Sequence, residues 1–304
     1  MALGMSQTSI VPRLHLLLAL AVMAVWGTNF VVIKLALEHL PPLWLATLRF
    51  ACAFLPTAFF LKRPAVPVSN LAAYGVLIGA GQFGLLFLAM KNDITPGLAS
   101  LVVQIQVFFT IALSMRLTGE RVRGFQWAAL ALATSGLAVI LTHSNGSATP
   151  LGLGLVVTAA FCWSNGNMVS RAAGKVDMLA YVVWASIFAV PPLFLLALLF
   201  EGVPALMAGV HAATPTTWAA VVWQAVGNTM FGYGVWGWLL ARHPAATVAP
   251  MALLVPVFGI GASALFLGEP LQSWKLLAAA LVMGGLALSL LWPRYAVKRK
   301  ATNS

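Results

Sequence analysis

Residues 119–141 read GERVRGFQWAALALATSGLAVIL, and residues 268–290 read GEPLQSWKLLAAALVMGGLALSL. Both stretches begin with Gly-Glu, and both carry Gly-Leu-Ala in the same register, at Gly136–Ala138 and at Gly285–Ala287. The offset between the copies is 149 residues, about half of the 304-residue chain. Internal similarity at this spacing indicates that the chain contains two copies of one structural unit.

A second pair of positions, nearer the start of each half, supports the duplication. Trp26 precedes Lys34 by the same distance in sequence as Trp163 precedes Arg171. The two predicted repeats cover residues 1–145 and 146–304.

The composition identifies an integral membrane protein. Apolar residues make up 61% of the chain and charged residues only 8%, whereas a soluble domain carries about 25% charged residues. This excludes a soluble enzyme, a nucleic-acid-binding protein and a disordered chain. A membrane-crossing helix needs about 20 apolar residues, and we predict an all-α bundle of ten such helices: Leu14–Ile33, Pro42–Leu61, Leu71–Met90, Pro96–Met115, Phe125–Thr142, Leu151–Val169, Leu179–Phe200, Trp218–Leu240, Ala245–Leu267 and Leu276–Trp292.

The distribution of basic residues predicts the orientation of the chain. With the N-terminus in the cytoplasm, thirteen Lys and Arg residues fall in cytoplasmic segments, and only Lys34, Lys91 and Lys275 fall in outer connectors. Positive charge marks the cytoplasmic side, so both termini are expected there. Because each repeat has five spans, the second repeat starts on the opposite side from the first and is inverted relative to it.

Several motifs resemble the EamA family of the drug/metabolite transporter superfamily. They recur in order over nearly the whole chain, although Val107 stands where the second half has Pro256. The motifs are Trp26–Phe30 (WGTNF), Pro41-Pro42, Leu48–Phe50, Gly97–Leu101, the two Gly-Glu pairs, Val248–Pro250 and Val255–Val257.

This resemblance implies a multi-pass protein of the cell inner membrane that exports amino acids and related small metabolites. Inverted repeats are common in transporters that bind substrate near the midplane and work by alternating access. A multidrug or cation exporter and a nucleotide-sugar type of transporter are the alternatives within the superfamily. They usually need a buried acid or basic residues in the cavity, and the sequence offers neither clearly.

Polar and aromatic side chains within the spans are the candidate substrate-binding residues, because such groups usually face the bundle interior or a wet cavity. Amides can donate to a carboxylate and accept from an ammonium; their alternative role is to hold helices together. Gln106 lies about 200° from Gln104 around an ideal helix and is predicted to face elsewhere. The candidates are Trp26, Asn29, Gln82, Ser100, Gln104, Trp163, Asn167, Gln224, Asn228 and Tyr233.

Three further residues, two charged and one aromatic, have roles that their positions in the sequence predict. Arg49 lies seven residues past Pro42, about 10 Å along a helix. It either extends outward toward Glu38 or helps to hold a substrate carboxylate near the outer mouth. Glu269, directly after a Gly, is predicted to stabilise the N-terminus of its own helix, and Trp44, at a span end, suits the interfacial aromatic belt.

No cofactor or metal is predicted, since the sequence has neither a nucleotide-binding loop nor a set of metal ligands. The sequence has no grouping of reactive side chains that is typical of an active site, which argues against an enzyme. The expected partners are a small-molecule substrate and the lipid bilayer, without nucleic acid; the sequence leaves the oligomeric state open and is compatible with a monomer. All six acidic residues lie in connectors or at helix ends, which favours movement down the substrate gradient.

Overall fold

The computed structural model describes residues 12–118, 124–143, 146–243 and 249–302. These residues form eleven helices and no strand. Five helical segments are long and apolar enough to cross a membrane: Arg13–Leu37, Val68–Asn92, Pro96–Leu113, Gly124–Thr142 and Met178–Phe200. The all-helical class predicted from the sequence is therefore confirmed.

The helices of the first half follow the predicted spans closely, with one difference. They are α1 (Arg13–Leu37), α2 (Pro42–Phe54), α3 (Val68–Asn92), α4 (residues 96–118) and α5 (Gly124–Thr142). The prediction that the second span runs to Leu61 is wrong, because α2 ends at Phe54 and turns follow. Pro56 has no N–H to donate to the helix, and residues 55–61 keep their apolar character in turns.

The second half contains one helix more than the first. Its helices are α6 (Pro150–Ala172), α7 (Met178–Phe200), α8 (Gly202–Ala212), α9 (residues 215–242), α10 (residues 249–267) and α11 (Ser273–Thr302). The short α8 occupies the longest connector of the sequence.

Two kinds of irregular helical turn recur in both halves. The third long helix of each half widens into a π-helix, at Leu77–Gly84 in α3 and at Gln224–Tyr233 in α9. The fourth tightens into a 3₁₀ turn, at Val103–Ile105 in α4 and at Ala249–Leu253 in α10. Such segments often lie at functional sites, and their recurrence parallels the sequence repeat.

Helices α5 and α11 pack through glycines that the sequence repeat pairs with each other. A Cβ atom on Gly136 would lie 2.6 Å from Val282 Cγ2 and 3.0 Å from the Ala278 carbonyl oxygen. A Cβ atom on Gly285 would lie 2.5 Å from the Ala129 carbonyl oxygen. Because the late part of one helix meets the early part of the other, the two run antiparallel. We call this contact the α5–α11 seam.

The outer surface of the bundle is apolar, as lipid contact requires. Among the large apolar side chains, Phe60 is 86% exposed and Leu265 is 76% exposed. A soluble monomer rarely exposes contiguous apolar surface of this kind. The polar side chains that are buried therefore lie toward the middle of the bundle.

Candidate functional site

Two adjoining cavities lie within the bundle. The smaller, which we call the central chamber, has a volume of about 60 Å³ and is lined by Asn29, Gln82 and Asn228 together with aromatic and aliphatic side chains. The larger, the vestibule, has a volume of about 870 Å³ and reaches Gly174 and Lys175 in the connector after α6. Five residues form walls of both cavities, which makes them one continuous candidate site: Trp26, Gln104, Trp163, Tyr233 and Val255.

The irregular turns position much of the chamber wall. The π-helical segment of α3 supplies Gln82 and Phe83, and that of α9 supplies Asn228 and Tyr233. The 3₁₀ turn of α4 supplies Gln104. A widened or tightened turn changes the direction of the side chains that follow, so these segments set which residues face the cavity.

Trp26 joins the two halves of the chain at the cavity wall. Its Nε1 donates a hydrogen bond of 3.2 Å to the Asn228 carbonyl oxygen. Its ring lies 5.4 Å from the ring of Tyr233 and 5.6 Å from that of Trp236. Trp26 lies in the middle of α1 and contacts the second half of the chain, so it does not belong to an aromatic belt at the membrane interface.

The structure places the predicted site residues in three groups. Seven line the central chamber: Trp26, Asn29, Gln82, Gln104, Trp163, Asn228 and Tyr233. Asn167 lines the vestibule. Ser100 and Gln224 line neither cavity: Ser100 donates to the Gly97 carbonyl oxygen at 2.7 Å, and Gln224 is fully buried without a hydrogen-bond partner.

Gln106 is a polar wall residue that the sequence argument missed, as are Thr110 and Ser170. It lines the vestibule together with Gln104, and its Oε1 accepts a hydrogen bond of 3.1 Å from Asn167 Nδ2. An ideal helix would turn the two glutamines apart, but the 3₁₀ turn that ends at Ile105 lies between them. The apolar wall residue Phe83 carries no signal of its own in an apolar span.

Several buried polar atoms at the site have no hydrogen-bond partner. Asn29 Oδ1 and Gln82 Oε1 belong to chamber residues, and Arg49 Nε and Nη1 lie in the same part of the bundle. Buried polar groups are almost always paired in folded proteins. Unpaired acceptors at a cavity wall are therefore what a site for a polar ligand leaves open.

Arg49 corrects one expectation. Its side chain is only 1% exposed, and the guanidinium carbon lies 3.6 Å from the centre of the Phe83 ring. It therefore does not extend outward toward Glu38, whose side chain is exposed. The attraction between a guanidinium and aromatic faces accounts for this position.

At the end of the bundle away from Lys175, which we call the closed end, two lysines bind the carbonyl groups of helix ends. Lys34 Nζ donates to the carbonyl oxygens of Met90 at 3.1 Å and Lys91 at 2.8 Å. Lys91 in turn donates to the carbonyl oxygen of Leu37 at the end of α1. These contacts join α1 to α3, since each lysine caps carbonyl groups of the other helix.

Glu269 takes part in the same closed end, but not as the sequence suggested. Its carboxylate accepts from Thr95 Oγ1 at 2.5 Å, Gly97 N at 3.2 Å and Lys275 Nζ at 2.9 Å. It therefore sits at the N-terminus of α4 rather than of its own helix, which begins only at Ser273. The corresponding Glu120 lies outside the described residues.

Glu201 makes an equivalent contact elsewhere at this end. Its two carboxylate oxygens accept from the N–H groups of Leu43 at 2.8 Å and Trp44 at 3.0 Å, at the start of α2. Burial raises the pKa of the Glu201 carboxyl, against the opposing effect of these hydrogen bonds. Trp44 is itself 4% exposed and donates to the Gly202 carbonyl oxygen, which corrects the prediction that it belongs to the interfacial belt.

Comparison with known proteins assigns a family to this architecture. The sequence profile described as the EamA-like transporter family matches residues 13–142 and 150–291. A probable amino-acid metabolite efflux pump of Salmonella typhimurium is 41% identical over 278 residues, covering 90% of this chain and 93% of the relative. The Escherichia coli (strain K12) protein of the same description is 40% identical over 284 residues, covering 91% and 95%.

Two further similarities are weaker. The uncharacterized inner membrane transporter YedA of Escherichia coli (strain K12) is 31% identical over 174 residues, or 53% of this chain and 56% of that protein. A solved structure with 20% sequence identity superposes with a TM-score of 0.61, covering 92% of this chain and 98% of the other. At that identity the superposition supports the fold alone.

Proposed function

We propose, starting from the fact that this chain belongs to the EamA-like transporter family, that it exports amino acids and related small metabolites. The chain is a multi-pass transporter of the inner membrane, and its relatives at about 40% identity are described as probable amino-acid metabolite efflux pumps. The class of substrate and the transport mechanism are the parts that we propose.

The single observation that carries this proposal is the chemistry of the central chamber. Its polar wall groups are neutral amides, and its remaining wall is aromatic or aliphatic. Amides offer donors and acceptors without a fixed charge, and an apolar wall suits a small side chain. Such a site fits a zwitterion and binds it weakly enough to release it.

The residues that line the two cavities also argue against the two alternatives, export of a cationic drug and transport of a nucleotide sugar. No acidic side chain lines either cavity in the described part of the chain, and Lys175, near the vestibule opening, is the one charged group that does. A cationic drug would be expected to meet a carboxylate, and a nucleotide sugar would be expected to meet several basic groups. Amino-acid export therefore has the better support.

For the architecture we propose ten membrane-spanning helices in two inverted repeats, residues 1–145 and 146–304, with both termini in the cytoplasm. The antiparallel α5–α11 seam supports the inversion. Contacts near helix ends also support it, because each joins segments that the prediction assigns to the same side. Thr217 contacts His39, and both are assigned to the outer side; His15 contacts His243, and both are assigned to the inner side.

This orientation places the open vestibule on the cytoplasmic side and the closed end outside. Substrate would enter past Lys175, bind at the central chamber, and leave outward when the contacts of Lys34 and Glu269 separate. Of the ten predicted residues, we propose that the seven chamber residues and Asn167 contact substrate. Ser100 and Gln224 would act through packing, since they lie behind the walls.

The test is transport by the purified protein in proteoliposomes. Vesicles loaded with unlabelled amino acid should take up labelled small neutral amino acids saturably, and should take up neither tetraphenylphosphonium nor a nucleotide sugar. Gln104→Leu should reduce uptake at least tenfold, because it removes a polar wall group. Trp127→Leu is the matched control, since Trp127 is 61% exposed on the outside of α5. Uptake of the cation instead of amino acids would overturn the proposal.

A further inference from the structure

Arg49 is a buried cation in the membrane-spanning part of the bundle with two free hydrogen-bonding nitrogens. Its side chain is 1% exposed, and Nε and Nη1 have no partner among the described residues. Charged side chains inside a bilayer are rare and usually mark a substrate or ion pathway. A structural arginine would be expected to bind a carboxylate or backbone carbonyl groups.

The aromatic neighbours of Arg49 lie close to its guanidinium but offer it no carboxylate or carbonyl acceptor. The guanidinium carbon lies 3.6 Å from the centre of the Phe83 ring and 5.2 Å from that of Phe50. An aromatic ring attracts the positive charge of a guanidinium without replacing the oxygen acceptors that its N–H groups need. The ring contacts therefore hold the guanidinium in place without satisfying its donors.

Phe83 connects Arg49 to the central chamber. The ring that stacks on the guanidinium is also a wall of the chamber, and Gln82, the preceding residue, lines the same cavity. The Phe83 side chain therefore contacts both the guanidinium and the chamber.

The unpaired groups around the chamber have opposite hydrogen-bonding character. Asn29 Oδ1 and Gln82 Oε1 are acceptors, and Arg49 Nε and Nη1 are donors. An ammonium needs acceptors, and a carboxylate is bound most strongly by a guanidinium through two parallel hydrogen bonds. The two sets together match the two charged ends of an α-amino acid.

We propose that Arg49 binds the carboxylate of the transported amino acid, while Asn29 and Gln82 accept hydrogen bonds from its ammonium group. This inference rests on the proposed function and adds the orientation of the substrate. It also makes the free carboxylate a requirement for recognition. Phe83 acts as a positioning residue that holds the guanidinium until the carboxylate arrives.

The experiment compares labelled L-serine with unlabelled L-serinamide and L-serine as competitors in the proteoliposome assay. Serinamide keeps the ammonium and the side chain but lacks the carboxylate. In the wild type it should compete about tenfold to hundredfold more weakly than serine, as expected for losing hydrogen bonds to a charged group. Arg49→Gln should raise the KM for serine at least tenfold and bring the two competitors to within about twofold of each other.

Two variants control for folding and for charge. Arg49→Lys keeps the charge but loses the planar fork, so it should keep part of the preference with a raised KM. Arg242→Gln should behave as the wild type, because Arg242 stacks on Trp238 at 4.1 Å in the same way but is exposed at a helix end.

The outcomes separate this inference from the proposed function. If the wild type carries no amino acid, the proposed function fails. If it carries serine and serinamide competes equally well, or if Arg49→Gln keeps the wild-type KM and preference, only the role of Arg49 fails. Should Arg49→Gln not fold, an unchanged KM in Arg49→Lys would equally overturn the inference.

Discussion

Glu201 illustrates how a single side chain joins distant parts of this bundle. Its carboxylate accepts from the first free N–H groups of α2, some 157 residues earlier in the chain. The first turn of a helix leaves such N–H groups without partners inside the helix. Glu201 therefore anchors the start of α2 to the end of α7.

Glu201→Ala should lower the melting temperature in detergent. The change leaves two N–H groups without acceptors, a loss of about 1–3 kcal/mol. Glu201→Gln keeps a neutral acceptor and should stay close to the wild type at neutral pH. Equal melting temperatures for Glu201→Ala and the wild type would contradict the role of this residue as a cap.

The stability of the wild type relative to Glu201→Gln should also depend on pH. Because burial raises the pKa of the carboxyl in the folded protein, the folded state binds the proton more readily than the unfolded state does. The wild type should then gain stability relative to Glu201→Gln as the pH falls from about 7.5 toward about 5. Melting curves of both proteins across that range check this, and a constant difference would rule it out.

Single residues also show how far polarity in the sequence predicts which side chains line a cavity. Mid-span polarity was enough to select Gln82, Gln104 and Asn228, all of which line the chamber. It selected Gln224 as well, which is equally polar and buried but lines neither cavity. Polarity indicates an inward direction, and only the actual helix geometry distinguishes a cavity from a packed interface.

At the scale of helices, close packing in this protein depends on small residues. Gly75 and Gly79 of α3 face Ala185 and Ala189 of α7. A Cβ atom on Gly75 would overlap the Ala185 carbonyl oxygen, and one on Gly79 would overlap the Ala189 side chain. In lipid, helix association relies on such close backbone approach rather than on the hydrophobic effect. The α5–α11 seam uses the same device.

Gly285→Ala and Gly284→Ala should have opposite effects on stability. The added methyl at position 285 would meet the Ala129 carbonyl oxygen, and overpacking of this kind costs about 1–3 kcal/mol. Position 284 faces open space, where alanine favours the helix by up to about 1 kcal/mol. Melting temperatures in detergent provide the comparison, and indistinguishable values for the two variants would argue against the seam.

Helix boundaries and irregular turns were the least predictable elements. Hydropathy placed the second span as far as Leu61, because apolar residues continue through the turns that follow Phe54. The π-helical segments at Leu77–Gly84 and Gln224–Tyr233 have no pattern in hydropathy that sets them apart.

At the scale of the whole molecule, all-helical membrane character followed from composition, and the duplication followed from the repeated stretches. The inversion of the second repeat depends on charge counting and stays a prediction, although the antiparallel seam agrees with it. Composition is an average over the whole chain, so it predicts the fold class more reliably than a local pattern predicts a helix boundary.

Thiol labelling of intact cells tests the topology. With Cys52 and Cys162 replaced by alanine, a cysteine at Thr214 should react with an impermeant reagent added outside, since Thr214 is exposed in a connector that is predicted to lie outside. Cysteines at Ser69 and Ser304 should react only after the membrane is permeabilised. Labelling of position 304 from outside would refute the cytoplasmic C-terminus.

Transport should not require a proton gradient. No acidic side chain lines the central chamber or the vestibule among the described residues, and proton-coupled transporters generally use such a group. Uptake should therefore reach the same plateau with and without an imposed pH gradient at zero membrane potential. Accumulation above equilibrium only with the gradient would contradict this and would direct attention to Glu38 and Glu269.

The α5–α11 seam has a consequence for what the cavity can recognise. Since its glycines meet equivalent partners, two identical half-length chains in opposite orientations could form the same contact. Such a homodimer would present every cavity group twice, once for each half. An amino acid has two chemically different ends, and a site with two-fold symmetry cannot offer each end a different set of partners. When both halves belong to one chain, their sequences can differ, and the site need not be symmetric. Arg49 lies in α2, whereas α7, the second helix of the second half, contains no basic residue.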